Sequence, residues 1–363
     1  MRRRARCLAV AVIVWVAVTC GTAGAQEPVT VRADFIFYGD NTEFRNPFRE
    51  GETIFGAAVR LTATAPIGER ADITFGALMN QRFGSDSAFE LVRPVFALRV
   101  GNARSSFIFG TLPSSSPGVP PGPDRAGPHK LLPPLQRETL AFDRPYEAGF
   151  QWNLAVSRVR HEAWLNWQRL NTRDHRERFD TGITGEVRLT PRVSLPYQLH
   201  VVHEGGQQFA VGPVSDSVGA AVGLAASVAA GPIDALSLEI FGLAASDTPD
   251  RDHPDRSRDG RGFFGRGSAV VDAWRGHILF WRGRHFITRE GDPNYLSLRR
   301  NGVVYGGIRD YAETGLTRTF TPATGVLLEA SGRLHRVEKH YEYSYRILAT
   351  VDLQWRFRMV PSP

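Results

Sequence analysis

The chain has 363 residues, of which 42% are hydrophobic, 10% aromatic and 22% charged, with a formal net charge of +7, 36 Gly and 23 Pro. This charge density excludes a polytopic helical membrane protein, and the aromatic content excludes a disordered chain. Cys7 and Cys20 are its only cysteines, so there is no disulfide framework.

The first 25 residues combine four arginines, an apolar run at 7–19 and a small-residue stretch ending Ala23-Gly24-Ala25. That order is the basic, apolar and A-x-A pattern of a secretory signal, with cleavage expected after Ala25. Removing it takes four of the seven excess positive charges and both cysteines. The remaining chain suits an oxidising compartment, and it has little of the basicity that a nucleic-acid partner requires.

From residue 26 onward the recurring pattern has period two, the mark of strands with one apolar and one polar face. At 29–37, Val29, Val31, Ala33, Phe35 and Phe37 oppose Thr30, Arg32 and Asp34. At 53–65, Phe55, Ala57, Val59, Leu61 and Ala63 alternate with polar neighbours, and 178–189 and 193–201 repeat the arrangement. The longest case closes the chain. Between 341 and 357 every odd position is apolar or aromatic, and among the even ones only Leu348 breaks a polar series. Soluble strands usually stop at about 5–6 residues. Ten steps of about 3.3 Å from Tyr345 to Trp355, tilted by about 40°, span the roughly 25 Å apolar band of a transmembrane barrel.

On this basis sixteen strands are expected, at 29–38, 52–65, 71–83, 89–100, 105–111, 139–153, 159–170, 177–189, 193–204, 216–229, 233–246, 262–274, 277–288, 304–319, 325–336 and 340–358. Short connections alternate with mostly longer polar ones, as a barrel with both termini in the periplasm requires. At 277–288 the faces conflict, because Arg282 and Arg284 share a side with Ile278 and Phe280.

The export signal, the loop parity and the closing strand Val351-Asp352-Leu353-Gln354-Trp355-Arg356-Phe357 together resemble the Gram-negative outer-membrane β-barrel class, and within it porin-like proteins. The resemblance implies an all-β, transmembrane up-and-down antiparallel barrel of about 16 strands. It also implies residence in the outer membrane among lipid and lipopolysaccharide, insertion by the barrel assembly machinery, and a homotrimeric state by analogy. In that class the last strand usually ends the chain on an aromatic residue; this chain runs six residues beyond Phe357.

The expected inward face carries Arg32, Arg60, Arg188, Arg333, Arg346 and Arg356 beside Asp34, Asp180, Glu186, Glu329, Glu342 and Asp352. Permanently charged guanidiniums among carboxylates line a polar pore or knit a closed lumen. The pore reading makes this a passive channel for small hydrophilic solutes, without enzyme activity or cofactor. The outward girdle is expected to hold Trp167, Tyr341, Tyr343, Tyr345, Trp355 and Phe357. Trp164 faces the other way, as lumen packing or a sugar platform.

The third external connection, 112–138, contains eight prolines and resembles a constriction loop, with Asp124, Arg125, His129 and Lys130 as its pore-facing candidates. At 247–261 five aspartates alternate with four arginines, an order that fits a solvated loop and no calcium motif. No metal site is expected. His203, at the external end of a strand with Ser215 and Ser217 nearby in sequence, supports the alternative of a rim-active lipid hydrolase. A closed-barrel adhesin or scaffold is the third reading.

Overall fold

The computed structural model describes residues 28–113, 129–206, 208–209 and 212–357. The expected signal segment, and Asp124 and Arg125, lie outside these residues.

Sixteen antiparallel strands form one closed barrel. In chain order they are β1 (Val29–Glu43), β2 (Glu52–Pro66), β3 (Ala71–Arg82), β4 (Leu91–Gly101), β5 (Ser105–Thr111), β6 (Ala148–Ala155), β7 (Val159–Arg169), β8 (Glu177–Arg188), β9 (Val193–Gly205), β10 (Ser215–Ala230), β11 (Ile233–Thr248), β12 (Arg258–Val271), β13 (Trp274–Arg284), β14 (Ile308–Ala323), β15 (Val326–Val337) and β16 (His340–Phe357). Each strand pairs with its sequence neighbours, and β1 closes on β16 from Val29↔Phe357 to Glu43↔Tyr343. Closure lets the wall amides pair along the ladders where water is absent, except beside the short β5. No helix among the described residues is long and apolar enough to cross a membrane.

Alternation decides the faces. On β16, Tyr341, Tyr343, Tyr345 and Ile347 are exposed outside, while Ser344, Arg346, Leu348 and Thr350 are buried inside. Leu348, the exception in the sequence pattern, packs with Tyr38, Ile54 and Phe142 in the lumen.

The lumen is filled. The described part of the third external connection, 129–147, folds inward, as does the connection 285–307 between β13 and β14. Leu131, Leu132, Leu135, Phe286, Tyr295 and Leu296 form an apolar core against the wall residues Trp164, Phe241, Phe264, Trp281 and Tyr311. The two segments are tied together by Arg137 N–H to Glu290 O (2.7 Å), Asp292 N–H to Pro133 O (2.8 Å) and the Thr288 hydroxyl to Pro134 O (2.6 Å). They make a partition across the barrel. On its external side lie two cavities of about 530 and 770 Å³ that share Arg144, Gln168, Arg169 and Glu290; a periplasmic cavity of about 380 Å³ contains Lys130, His161 and Glu186.

One sequence expectation changes, and the conflict of faces at 277–288 is resolved. The stretch 139–153 is not one strand: Leu140–Asp143 forms a helical turn (α1), and β6 begins only at Ala148. The alternate apolar residues Leu140 and Phe142 both bury inside, with Phe142 stacked on Tyr38 at 4.8 Å, so their spacing reflects the partition and not a wall. Arg282 and Arg284 point outward with Ile278 and Phe280, because Leu279, Trp281 and Gly283 take the inner face. The last external connection is a turn at Glu338 and Lys339, in keeping with the short interval between the expected strands 325–336 and 340–358.

The wall is low at one place. β5 and β6 are short, and β5 pairs with β4 only up to Ala97↔Gly110. Among the described residues no strand lies beside the external end of β4 on that side. The 530 Å³ cavity reaches through this notch, from Arg93 and Glu147 to the outward-facing Trp167.

Candidate functional site: a buried Ser–His relay and its surroundings

Inward positions of β13 to β16 fall side by side in the ladder: Glu313 is in register with His335, and Arg333 with Ser344. The ring of His277 fits because Gly315 has no side chain to overlap it. The register assembles a chain of polar contacts. The Ser344 hydroxyl lies 2.8 Å from His335 Nε2, His335 Nδ1 is 2.8 Å from the Tyr311 hydroxyl, and Tyr311 donates to Glu313 Oε2 at 2.5 Å. With Tyr311 donating to the carboxylate, its oxygen accepts the Nδ1 proton. Nε2 is then left unprotonated, an acceptor for Ser344. Glu313 is also met by His277 Nε2 at 2.8 Å.

Two guanidiniums flank the serine. Arg346 reaches Asp40 (2.5 Å) and Glu138 (3.0 Å); Arg333 reaches Glu138 (3.2 Å) and Glu313 (3.7 Å). Burial pushes the Glu138 carboxyl up, but Arg333 and Arg346 outweigh it and hold it below its usual range. The chamber holds about 40 Å³ and is roofed by Pro133, Glu138, Thr139, Asp292, Asn294 and Tyr295 from the inward segments. That is room for water but not for a lipid.

Across the partition, beneath the external cavities, Asp180, His200 and Glu290 bring their ligand atoms within 4.8 Å of one another. The carboxylates already have donors: Asp180 accepts from Trp164, Asn166 and Gln168, and Glu290 accepts from Arg144, Arg178 and Gln168. Burial raises the Glu290 carboxyl and Arg144, foremost among its charged neighbours, brings it below its usual range. The donor set serves as a tether between wall and partition. His129 is stacked on Trp164 with ring centroids 3.8 Å apart, its nitrogens 3.0 Å from Glu147 and 2.5 Å from Glu162. Burial alone would depress its pKa, but Glu147 and Glu162 drive it up to about 10.

The other sequence candidates are dispersed. Arg32 pairs with both Asp34 (2.8 Å) and Asp352 (2.8 Å) near the periplasmic end. Arg60 reaches Leu112 O (3.4 Å), Glu329 meets Arg275 (3.4 Å), and Glu342 accepts from Arg45 N–H and Asn46 Nδ2 (2.6 Å each). Glu186 and Lys130 line the periplasmic cavity, while Arg188 and Arg356 are exposed at the periplasmic ends of their strands. Trp164 packs the lumen; Trp167, Tyr341, Tyr343, Tyr345, Trp355 and Phe357 are exposed on the outer face.

The rim arrangement fails on geometry. His203 and Asp216 meet at 2.8 Å on the outer face, beside Phe179 and Trp167. Ser215 and Ser217 are buried on the lumen side, where Arg289 contacts both. The wall separates them from His203.

Sequence reasoning missed Ser344, His335, Tyr311 and Glu313. A signal was available: the turn at Glu338 and Lys339 fixes the β15–β16 register, which sets the inward residues of both strands beside each other.

The chain resembles solved outer-membrane barrels along most of its length. Pseudomonas aeruginosa OccK8 (OprE) superposes with a TM-score of 0.55 at 11% identity, covering 92% of this chain and 100% of that one. A loop L8 deletion mutant of OmpT from Vibrio cholerae gives 0.56 at 8% identity, covering 90% and 99%. P. aeruginosa OccK2 (OpdF), solved in complex with glucuronate, gives 0.53 at 11%, covering 92% and 100%. At these identities the likeness shows the fold alone. No curated protein is detectably similar in sequence.

Fold and contents thus define an outer-membrane β-barrel with an occluded lumen and a buried polar site. The profile of the lipid A 3'-O-deacylase-type family matches residues 22–360, and the chain belongs to that family. This corrects the expectation of a protein without enzyme activity: the family is one of enzymes.

Proposed function

We propose that the protein is a hydrolase of outer-membrane lipid that removes an ester-linked acyl chain from lipid A, with Ser344 as nucleophile. The hydrogen-bonded sequence Ser344–His335–Tyr311–Glu313 carries this reading. A hydroxyl is a weak nucleophile until a base takes its proton, and an oriented imidazole is such a base. His335 Nε2 accepts the Ser344 proton as Oγ adds to the ester carbonyl. Its Nδ1–H, held by Tyr311 and Glu313, stabilises the positive charge that develops on the ring. Arg333 and Arg346 stand where negative charge on the carbonyl oxygen is favoured. Collapse of the adduct returns the proton from His335 to the departing sugar oxygen. Water then releases the acyl group from Ser344 by the same steps, restoring the enzyme.

Access follows from the partition. The notch beside β5 opens the external cavities toward the outer leaflet, and Arg93, Arg137, Arg144 and Arg178 offer cations to lipid phosphates. Displacing 131–144 and 286–298 joins this space to the chamber.

The test is mass spectrometry of lipid A incubated with purified protein in detergent micelles. Ser344→Ala and His335→Ala should each lower acyl release by about three orders of magnitude or more, while heat-modifiable gel mobility shows the barrel intact. His203→Ala should retain activity. Full activity in Ser344→Ala would overturn the assignment.

A further inference from the structure

The outer face of the barrel carries a charged feature that hydrolysis does not use. Arg261 on β12 and Arg284 on β13 stand directly opposite each other in the ladder, both exposed. Arg282 follows one outward position lower on β13, opposite Phe263, and Arg336 lies on the same face of β15. Two carboxylates share this surface. Asp310 lies 3.6 Å from Arg282, and Asp259 is one outward position above Arg261. Among the described residues no carboxylate lies within ion-pair range of Arg261, Arg284 or Arg336. The lumen is organised differently: Arg32, Arg309, Arg333 and Arg346 each meet a carboxylate.

Like charges directly opposite on a sheet are destabilising. They are tolerated where a shared anion fits between them, and two guanidinium forks suit the oxygens of a phosphate. Immediately below the ledge the outer face turns apolar: Phe263, Ile278, Phe280 and Leu334 are all exposed. An occupant must therefore be anionic at the level of the arginines and apolar below them.

We propose that the outer face of β12 to β15, centred on Arg261 and Arg284, is a docking site for the phosphorylated headgroup of an outer-leaflet lipopolysaccharide, whose acyl chains lie along Phe263, Phe280 and Leu334. The site is separate from the chamber, faces away from it across the wall, and does not depend on the hydrolase reading.

All binding measurements use a Ser344→Ala background, so that turnover cannot alter the ligand. Fluorescent diphosphorylated lipid A is titrated into the micellar protein. Arg261→Glu/Arg284→Glu should weaken binding by about tenfold or more, whereas Arg261→Lys/Arg284→Lys should stay within about threefold. Dephosphorylated lipid A should bind the parent no more tightly than it binds the double-Glu variant. Unchanged affinity in the double-Glu variant, with heat-modifiable mobility retained, would overturn the site. So would a dimer of the parent that the variant abolishes, since the face would then be an interface between copies. Loss of this site would leave deacylation by the wild-type chain to be judged on its own.

Discussion

Replacing Trp281 with alanine tests whether the partition is held shut by the lumen core. Trp281 is fully buried, with its ring 5.0 Å from Phe286 and 5.7 Å from Tyr295, both on the inward segment 285–307. Room for the indole comes from Gly262 and Gly283, where any side chain would overlap it. Truncating a buried tryptophan costs about 3–5 kcal/mol. Here the loss falls between wall and partition, because the β12–β13 and β13–β14 ladders keep their hydrogen bonds. At about 1.4 kcal/mol per factor of ten, opening of the partition should become about 100- to 4,000-fold more frequent. Hydrogen exchange in micelles reads this directly. The amides of Ser297, Tyr305 and Asp292, bonded to Phe286 O, Ser297 O and Pro133 O, should lose protection by that factor. Amides of β13 and β14 should stay protected. Unaltered exchange in 285–307, or equal loss in the wall, would refute the idea of a separately held partition.

Arg309→Met should have a related effect by a different route: Arg309 is fully buried and donates to Leu296 O (2.9 Å) and Asn294 O (2.9 Å) while pairing with Glu338. Each stranded buried acceptor costs about 1–3 kcal/mol, and a lower urea midpoint for 285–307 than for the barrel would report it. Glu290→Gln should loosen both inward segments together, seen as parallel gains in exchange at Arg137 and Asp292, since Arg144, Arg178 and Gln168 converge on that carboxylate. For His129 the folded pKa lies above the unfolded one, so its contribution is complete below about 6.5 and is lost as pH rises through about 10. Protease resistance of 129–147 should therefore fall across that alkaline window in the wild type and be flat in His129→Gln; a flat wild-type profile would refute the pairing.

The wall was legible because its physics is local. Period-two alternation at 341–357 needs no knowledge of any partner strand, and most strand ends fell within a few residues of the expected ones. What fills the barrel was not legible for the opposite reason. Leu131, Leu135, Phe286 and Tyr295 show no period, since each sits in a connection and buries against wall residues that its own segment does not reveal, such as Leu135 beside Gly219 and Phe286 beside Trp281. Leu140 and Phe142 misled because two apolar residues spaced by two fit an inward turn as well as a strand. Arg282 and Arg284 resisted assignment because the sequence cannot show where hydrocarbon ends and headgroups begin. The expected inward charges were a list of residues facing one space; the relay emerged only from register, which puts Ser344 beside Arg333 and Glu313 beside His335.

The short strands beside the notch have a consequence for the membrane itself. Six steps along β5 cover about 20 Å, or about 15 Å once tilted, against the roughly 25 Å that hydrocarbon demands. The deficit lies at the external end, since β5 starts at the periplasmic turn. Acyl chains next to it must shorten or splay to match, which is costly to the bilayer and sets up local thinning of its outer leaflet. Lipids there are already part-way out of their ordered packing. The protein thus weakens the sheet of lipid at the doorway through which it would draw one molecule sideways.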